Sequence, residues 1–240
     1  MTDQGEGVRI TYRFVLPDGT AEQFVVPVGP DAVQAEGSAV GGEPDWTRLE
    51  FEQCGHCPLT AGESPVCPVA RALAPVAGRF ESLVSHDELQ LEVVQGDRSL
   101  KQKVSTQQAL SSFLGLLIAT SGCPHTLFLR PMARFHQPLA GELETVYRSA
   151  SMYMLGEYFR SCEGETPDMA MQGLGDLYAA LHQLNEGMVR RLRAASRTDS
   201  TLNAVVILDL YTLLLPEALA DSLDEIAPYF SAYVAYKRLN

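Results

Sequence analysis

What this 240-residue chain lacks narrows it first. Its opening, Met1-Thr2-Asp3-Gln4-Gly5-Glu6, has neither a basic n-region nor an apolar h-region, so no signal peptide is expected. The longest apolar stretch, Phe113 to Ala119, is too short to span a bilayer and is broken by Gly115, so no membrane partner is expected. Basic residues are scarce: 18 Lys and Arg against 30 Asp and Glu give a formal charge of −12, the wrong sign for nucleic-acid binding. The spacings of common chemistries are missing too. There is no G-x-G-x-x-G after a strand, no P-loop, no H-E-x-x-H and no G-x-S-x-G, so no reaction can be named from motif.

What is present is a chain with 46% hydrophobic and 20% charged residues, ordinary for a globular protein and long enough for a full core. The first third reads as β. Val8 to Leu16, the turn Pro17-Asp18-Gly19 and Phe24 to Val28 make one hairpin; Leu89 to Val94, Gly96-Asp97-Arg98 and Leu100 to Val104 make another. Trp46 to Phe51 alternates and is expected to form a further strand, reached through a loop over 29–45. Pro68 opens a helical pattern (Val69, Leu73, Val76, Phe80, Leu83) in which Pro75 should kink or end the first segment. Ser105 and Gln108 fit a capping box before a buried helix that stops at Ser121-Gly122. Leu127 to Gln137 reads as extended. Amphipathic helices then follow from Leu143, from Leu174, over 202–215 and from Pro216 to about Arg238, with Pro228 splitting the last. The expected fold is α+β: an N-terminal antiparallel sheet of about five strands in hairpins, packed with a C-terminal multi-helix layer or bundle. It is read as a single domain over 1–240, with 1–105 mainly β plus one helix and 106–240 mainly α.

Four of the five cysteines fall into one arrangement: Cys54-Gly-His-Cys57-Pro58, Cys67-Pro68 and Cys123-Pro124-His125. A cytoplasmic location is the default, and in a reducing compartment spaced cysteines are metal ligands or catalytic groups more often than disulfides. Thiolates are soft ligands suited to zinc and to iron–sulfur clusters. Four of them close a tetrahedral site and leave no open position, so structural zinc leads, with an iron–sulfur cluster as the alternative. His56 and His125 are substitutes should one cysteine not ligate. The bland alternative is a set of independent buried thiols, which is how Cys162 reads.

If 133–137 is extended, Arg134 and His136 share one face, and with His125 and Cys123 they could line a pocket for an anion or small substrate. The competing reading pairs them with Glu142 or Glu144, merely securing the loop. Arg190, Arg191, Arg193 and Arg197 read as a solvated helix end. The function expected is therefore a metal-binding regulatory or interaction component that engages a protein partner or small anionic ligand, and a homo-oligomer is compatible. The alternatives are an iron–sulfur redox or sensing protein, and a small-molecule enzyme using Cys123, His125, Arg134 and His136.

The runs Cys54-x-His56-Cys57-Pro58, Cys67-Pro68, Ser121-Gly122-Cys123-Pro124-His125 and Pro131-Met132-Ala133-Arg134-Phe135-His136, with Glu144-Thr145-x-Tyr147-Arg148 further on, resemble a family of bacterial proteins of unknown function. The resemblance implies a bacterial cytosolic protein whose cysteine motif belongs to the whole group. It implies no activity.

Overall fold

The computed structural model describes residues 7–30, 43–80, 83–195, 202–206, 209, 212 and 222–239. The chain is α+β. Its sheet is built from β1 (Val8–Val15) and β2 (Ala21–Val28), then β3 (Glu88–Gln95) and β4 (Arg98–Ser105), all antiparallel in the order β2-β1-β3-β4. Both hairpin turns carry a glycine at positive φ, Gly19 at 85° and Gly96 at 58°, a region that residues with a side chain rarely enter. Side chains alternate across each strand, so Ile10, Tyr12, Phe14, Phe24, Val26, Leu89, Leu91 and Val93 share one buried face. The register sets Tyr12 opposite both Phe24 and Val93. Strand β4 buries only Val104. The exposed Arg98, Lys101 and Lys103 along it discourage pairing with a further strand.

The helices are α1 (Pro68–Arg79), α2 (Thr106–Thr120), α3 (Arg130–Arg134), α4 (Glu142–Cys162), α5 (Gln172–Ala195) and α6 (Ser231–Leu239). The capping box at the start of α2 is present: Ser105 Oγ accepts from the Gln108 N–H, and Gln108 Oε1 accepts from the Ser105 N–H. Helix α2 packs against β3, β4, α1 and α3. Phe113 joins Tyr12, Phe14, Phe24 and Phe80 in an aromatic core with ring centroids 4.8–6.0 Å apart.

Two local expectations differ from the structure. The sheet has four strands, not five, because Trp46 to Phe51 is not one. Asp45–Thr47 is a 3₁₀ turn, and only the single bridge Arg48–Val66 pairs beyond it. The cause lies outside the segment. The carbonyls of Trp46, Arg48 and Leu49, which a strand would offer to a neighbour, are all taken by the Arg191 guanidinium at 2.6–2.8 Å. The stretch read as extended is helical instead, with a 3₁₀ helix over Pro124–Leu129 running into α3. Prolines 124 and 131 each occupy an early helical position, where a missing N–H does no harm. Pro75 does not end α1, whose Val69, Ala70, Leu73 and Val76 are buried and hold it helical through the proline. Of the loop read over 29–45, residues 31–42 lie outside the described residues. So does most of 202–221.

The chain divides into two compact units, the first comprising 1–139 and 180–209, the second 140–179 and 210–240. The first holds the sheet, α1 to α3, the aromatic core and the later turns of α5. The second is helical and carries its own polar network. There the carboxylate of Glu157 accepts from Arg160 Nη1 at 2.8 Å and from the Asp168 N–H at 2.6 Å. Asp168 in turn accepts from the Tyr153 hydroxyl at 2.9 Å and from the Gly173 N–H at 2.8 Å.

Candidate metal centre

Cys54 and Cys57 bound a tight turn in which the Cys57 N–H donates to the Cys54 carbonyl at 3.0 Å. Glu52, at φ 47°, swings the chain into it, and Gln53 Nε2 closes the loop by donating to the Leu59 carbonyl at 3.0 Å. Cys67 and Cys123 occupy matching positions. Each is the N-cap of a helix, α1 and the 3₁₀ helix Pro124–Leu129, with φ near −65° (−67° and −64°) and proline at the next position. Neither side chain makes a capping hydrogen bond. The two sulfurs thus stand at helix starts, where the free N–H groups and the dipole favour negative charge. The Cys67 N–H donates to the Thr47 carbonyl at 2.8 Å, tying α1 to the segment that leads to Cys54. Cys123 is fixed by Ser121 Oγ, which accepts from its N–H at 3.3 Å, and by Thr126 Oγ1, which donates to its carbonyl at 3.0 Å.

The four thiols interact with one another. Burial pushes the Cys54 thiol up, and the neighbouring Cys67 and Cys57 add to this, while Arg191 and Arg190 oppose it. Burial pushes Cys123 up to about 12; the backbone N–H of His125 opposes the shift, and Cys67, Cys54 and Cys57 reinforce it. Residues from three separate stretches of chain therefore lie within range of each other's charge. With protons on the sulfurs nothing draws them tighter. Among the described residues no group of three or more His, Cys, Asp or Glu side chains stands in an arrangement that grips a metal ion.

The histidines beside the thiols carry a second mark. The rings of His56 and His125 lie 4.0 Å apart, tilted by 39°. His125 Nε2 lies 2.9 Å from the His56 carbonyl, so this nitrogen carries the proton and donates it. Burial, then His125, holds His56 below the usual histidine range, so its ring is neutral; the Ala180 backbone opposes this weakly, without a hydrogen bond of good geometry. Both ring nitrogens of His56 are buried with no hydrogen-bond partner. An orphaned neutral imidazole between two cysteines suits a soft-metal donor set, and it costs stability when nothing else satisfies it.

The other residues singled out from sequence take separate places. Arg134 ends α3, is exposed, and stacks over Phe135 with its guanidinium carbon 5.4 Å from the ring centroid. His136 Nε2 meets the Tyr12 hydroxyl at 2.5 Å, and that hydroxyl also meets Ser112 Oγ at 2.9 Å. The helical 130–134 segment removes the extended backbone that would have set Arg134 and His136 on one face. His125 turns to His56 instead.

Sequence reading missed the part played by α5. The Cys54 sulfur lies against Gly187, 2.7 Å from where a Cβ would stand, so only glycine admits it. One turn on, Arg191 is 1% exposed, not a solvated helix end. The signal was there: Leu184, Met188 and Leu192 form the apolar stripe of α5, and Arg191 falls on it at helical spacing.

No curated protein and no solved structure matches the chain. A family model described as a domain of unknown function (DUF6901) matches residues 10–231. With nearly the whole chain covered, the protein belongs to that DUF6901 family, for which no activity is given.

Proposed function

We propose that Cys54, Cys57, Cys67 and Cys123 form a thiolate centre that binds one zinc ion as a structural staple, in a protein that acts as a regulatory or interaction component. The observation that carries this is the tying together of the three cysteine-bearing stretches: His125 Nε2 donates to the His56 carbonyl at 2.9 Å, and the Cys67 N–H donates to the Thr47 carbonyl at 2.8 Å. Two further facts support it. Cys67 and Cys123 share one Cys-Pro helix start, and His56 stands between Cys54 and Cys57 with both nitrogens unsatisfied. The donor chemistry suits zinc, which takes four sulfurs in a closed tetrahedron and contributes folding energy outright. A nucleophilic role for Cys123 is poorly supported, because a thiol pushed up to about 12 stays protonated at neutral pH.

The test is metal analysis of protein purified without oxygen, with iron, acid-labile sulfide and visible absorption measured on the same sample. About one zinc per chain, lost in the Cys67→Ser and Cys123→Ser variants, is the expected result. Iron and sulfide with broad visible absorption would replace zinc by a cluster. Protein that retains neither, and takes up none on reconstitution, would sink the reading.

A further inference from the structure

Resting on that thiol-centre reading, we propose that Cys54 and Cys57 are an oxidation site: a hydroperoxide converts the pair to a disulfide, which removes two donors and opens the centre. The four thiols are not alike. Cys67 and Cys123 are 7% and 6% exposed, and each stands at a helix start ahead of a proline. Backbone hydrogen bonds hold both in place, so an oxidant reaches them poorly and they have little freedom to move. Cys54 and Cys57 are half-buried on a turn whose Gly55 and Pro58 are exposed. The Cys54 sulfur backs onto α5 at Gly187, and the turn meets solvent on its Gly55 and Pro58 side. The turn also sets the reach. The hydrogen bond from the Cys57 N–H to the Cys54 carbonyl closes a four-residue turn, whose end Cα atoms lie within about 7 Å. A disulfide needs Cα atoms roughly 4.4–6.8 Å apart, so this pair bridges with little backbone movement.

The reaction balances with the hydroperoxide as oxidant. The thiolate of one cysteine attacks the terminal peroxide oxygen, the O–O bond breaks, and the alkoxide or hydroxide takes up the thiol proton as it leaves. The sulfenic acid so formed is attacked by the second sulfur, and its hydroxyl departs as water with the second thiol proton. Two thiols and one hydroperoxide thus become one disulfide, one alcohol (or water) and one water. The sulfur pair loses two electrons and the peroxide gains them. A dithiol reductant reverses the bond by exchange. The disulfide does not replace the staple. One ion would join the stretches at 54–57, 67 and 123, whereas the disulfide joins residues three apart, and a bridge over so short a loop constrains the chain little. Because His125 Nε2 donates to the His56 carbonyl, a change in the turn also reaches the helix start that carries Cys123.

The experiment treats the zinc-loaded full-length chain with hydrogen peroxide, first equimolar and then in excess. Cys162→Ser, which removes the exposed fifth thiol at the end of α4, is run beside wild type to exclude bridges between molecules. Released zinc is followed with a chromophoric chelator. Disulfides are mapped by mass spectrometry after cleavage at Glu52 and Glu63, which isolates Cys54 and Cys57 in one peptide apart from Cys67 and Cys123. Zinc is expected to leave in step with a 54–57 disulfide at least about tenfold more abundant than any bridge to Cys67 or Cys123. Dithiothreitol followed by zinc should restore the bound metal. A dominant bridge to Cys67 or Cys123 overturns the proposal. So does a sulfinic acid on one sulfur without a bridge, or zinc retained in the peroxide excess. If the chain binds no zinc at all, the staple reading fails by itself, and the same peptide then decides the dithiol. A 54–57 disulfide in the metal-free chain upholds it as the oxidation site, and any other product overturns it.

Discussion

In the second unit, the buried carboxylate of Glu157 has Arg160 and the Asp168 backbone as partners, and the Tyr153 hydroxyl is taken by Asp168. In the first, both ring nitrogens of His56, Nε of Arg191 and Oδ1 of Asn185 are buried with no partner, and among the described residues all such atoms lie in this unit. The two networks have different physical purposes. A satisfied network is finished: it holds the loop between α4 and α5 and asks for nothing more. An orphaned buried polar atom costs about 1–3 kcal/mol, and a chain keeps several together only where something else satisfies them. Three of the four orphans belong to His56, between Cys54 and Cys57, and to Arg191, whose guanidinium holds the segment that leads to Cys54. The proposed thiolate centre would lie in the unit that keeps its polar atoms unsatisfied.

The contrast breaks most directly by emptying the centre. Chelating the metal from loaded protein is expected to lower stability by several kcal/mol, because binding energy at a thiolate site is folding energy. Hydrogen exchange should locate the loss at the amides of residues 54–57 and 123–126 rather than at 153–173. A melting curve indifferent to chelator would remove the structural role of the ion.

The two networks titrate over different pH ranges. Hydrogen bonds from the Asp168 N–H and from Arg160 hold Glu157 below the usual carboxylate range, and the Gly173 N–H does the same for Asp168. Their stabilisation is present above the ordinary carboxylate range and is lost as pH falls through the lowered values. Cys123 is raised from 9.0 to about 12, so the metal-free first unit holds its full contribution below 9.0 and loses it as pH climbs to that value. Over that window a single thiol removes up to about 1.4 kcal/mol per pH unit. Tyr153, raised from 10.0 to about 12, adds a later alkaline loss in the second unit. Burial holds His56 below the usual histidine range, so the metal-free first unit also loses stability as pH falls through that range, before the carboxylates of the second unit titrate. Denaturant melts of metal-free protein from pH 3 to 11 should therefore weaken the first unit from about pH 6 downward and again above 9.0, with the acid loss of the second unit confined to the carboxylate range. A first unit indifferent to pH between about 4 and 7 would contradict the assignment.

Much of the frame was legible because local patterns carried it. Turn glycines and strict alternation marked both hairpins, and the Ser105–Gln108 box marked the start of α2. What failed was long-range. Trp46 to Phe51 alternates like a strand, but a guanidinium some 140 positions away takes its carbonyls. Leu127 to Gln137 was misread although Pro131 within it, like Pro124 just before it, sits at a helix start. The cysteine pattern, whose role is our proposal, stood out from its spacing alone. The contribution of α5 did not, since a glycine and an arginine on an apolar stripe gain meaning only once Cys54 and the segment before it lie against them.

The finest probe of the contrast is one substitution made at three points along α5. In a helix interior Gly→Ala gains about 1 kcal/mol when the new methyl meets nothing. Gly187→Ala puts that methyl 2.7 Å from the Cys54 sulfur, so the gain is replaced by a loss of about 1–3 kcal/mol and weaker metal retention. Gly173→Ala drives it into the Tyr153 hydroxyl and should loosen the Tyr153–Asp168 bond, lowering the melting temperature while metal content stays unchanged. Gly175→Ala has nothing within 4 Å of its Cβ and no positive φ, so it should stabilise by roughly 0.5–1 kcal/mol with metal content unaffected. Melting temperature and bound metal, measured together, separate the three. Gly175→Ala is the control that gives the other two meaning: if it destabilises as they do, the helix backbone rather than sulfur or hydroxyl sets the response, and the distinction between the two ends of α5 collapses.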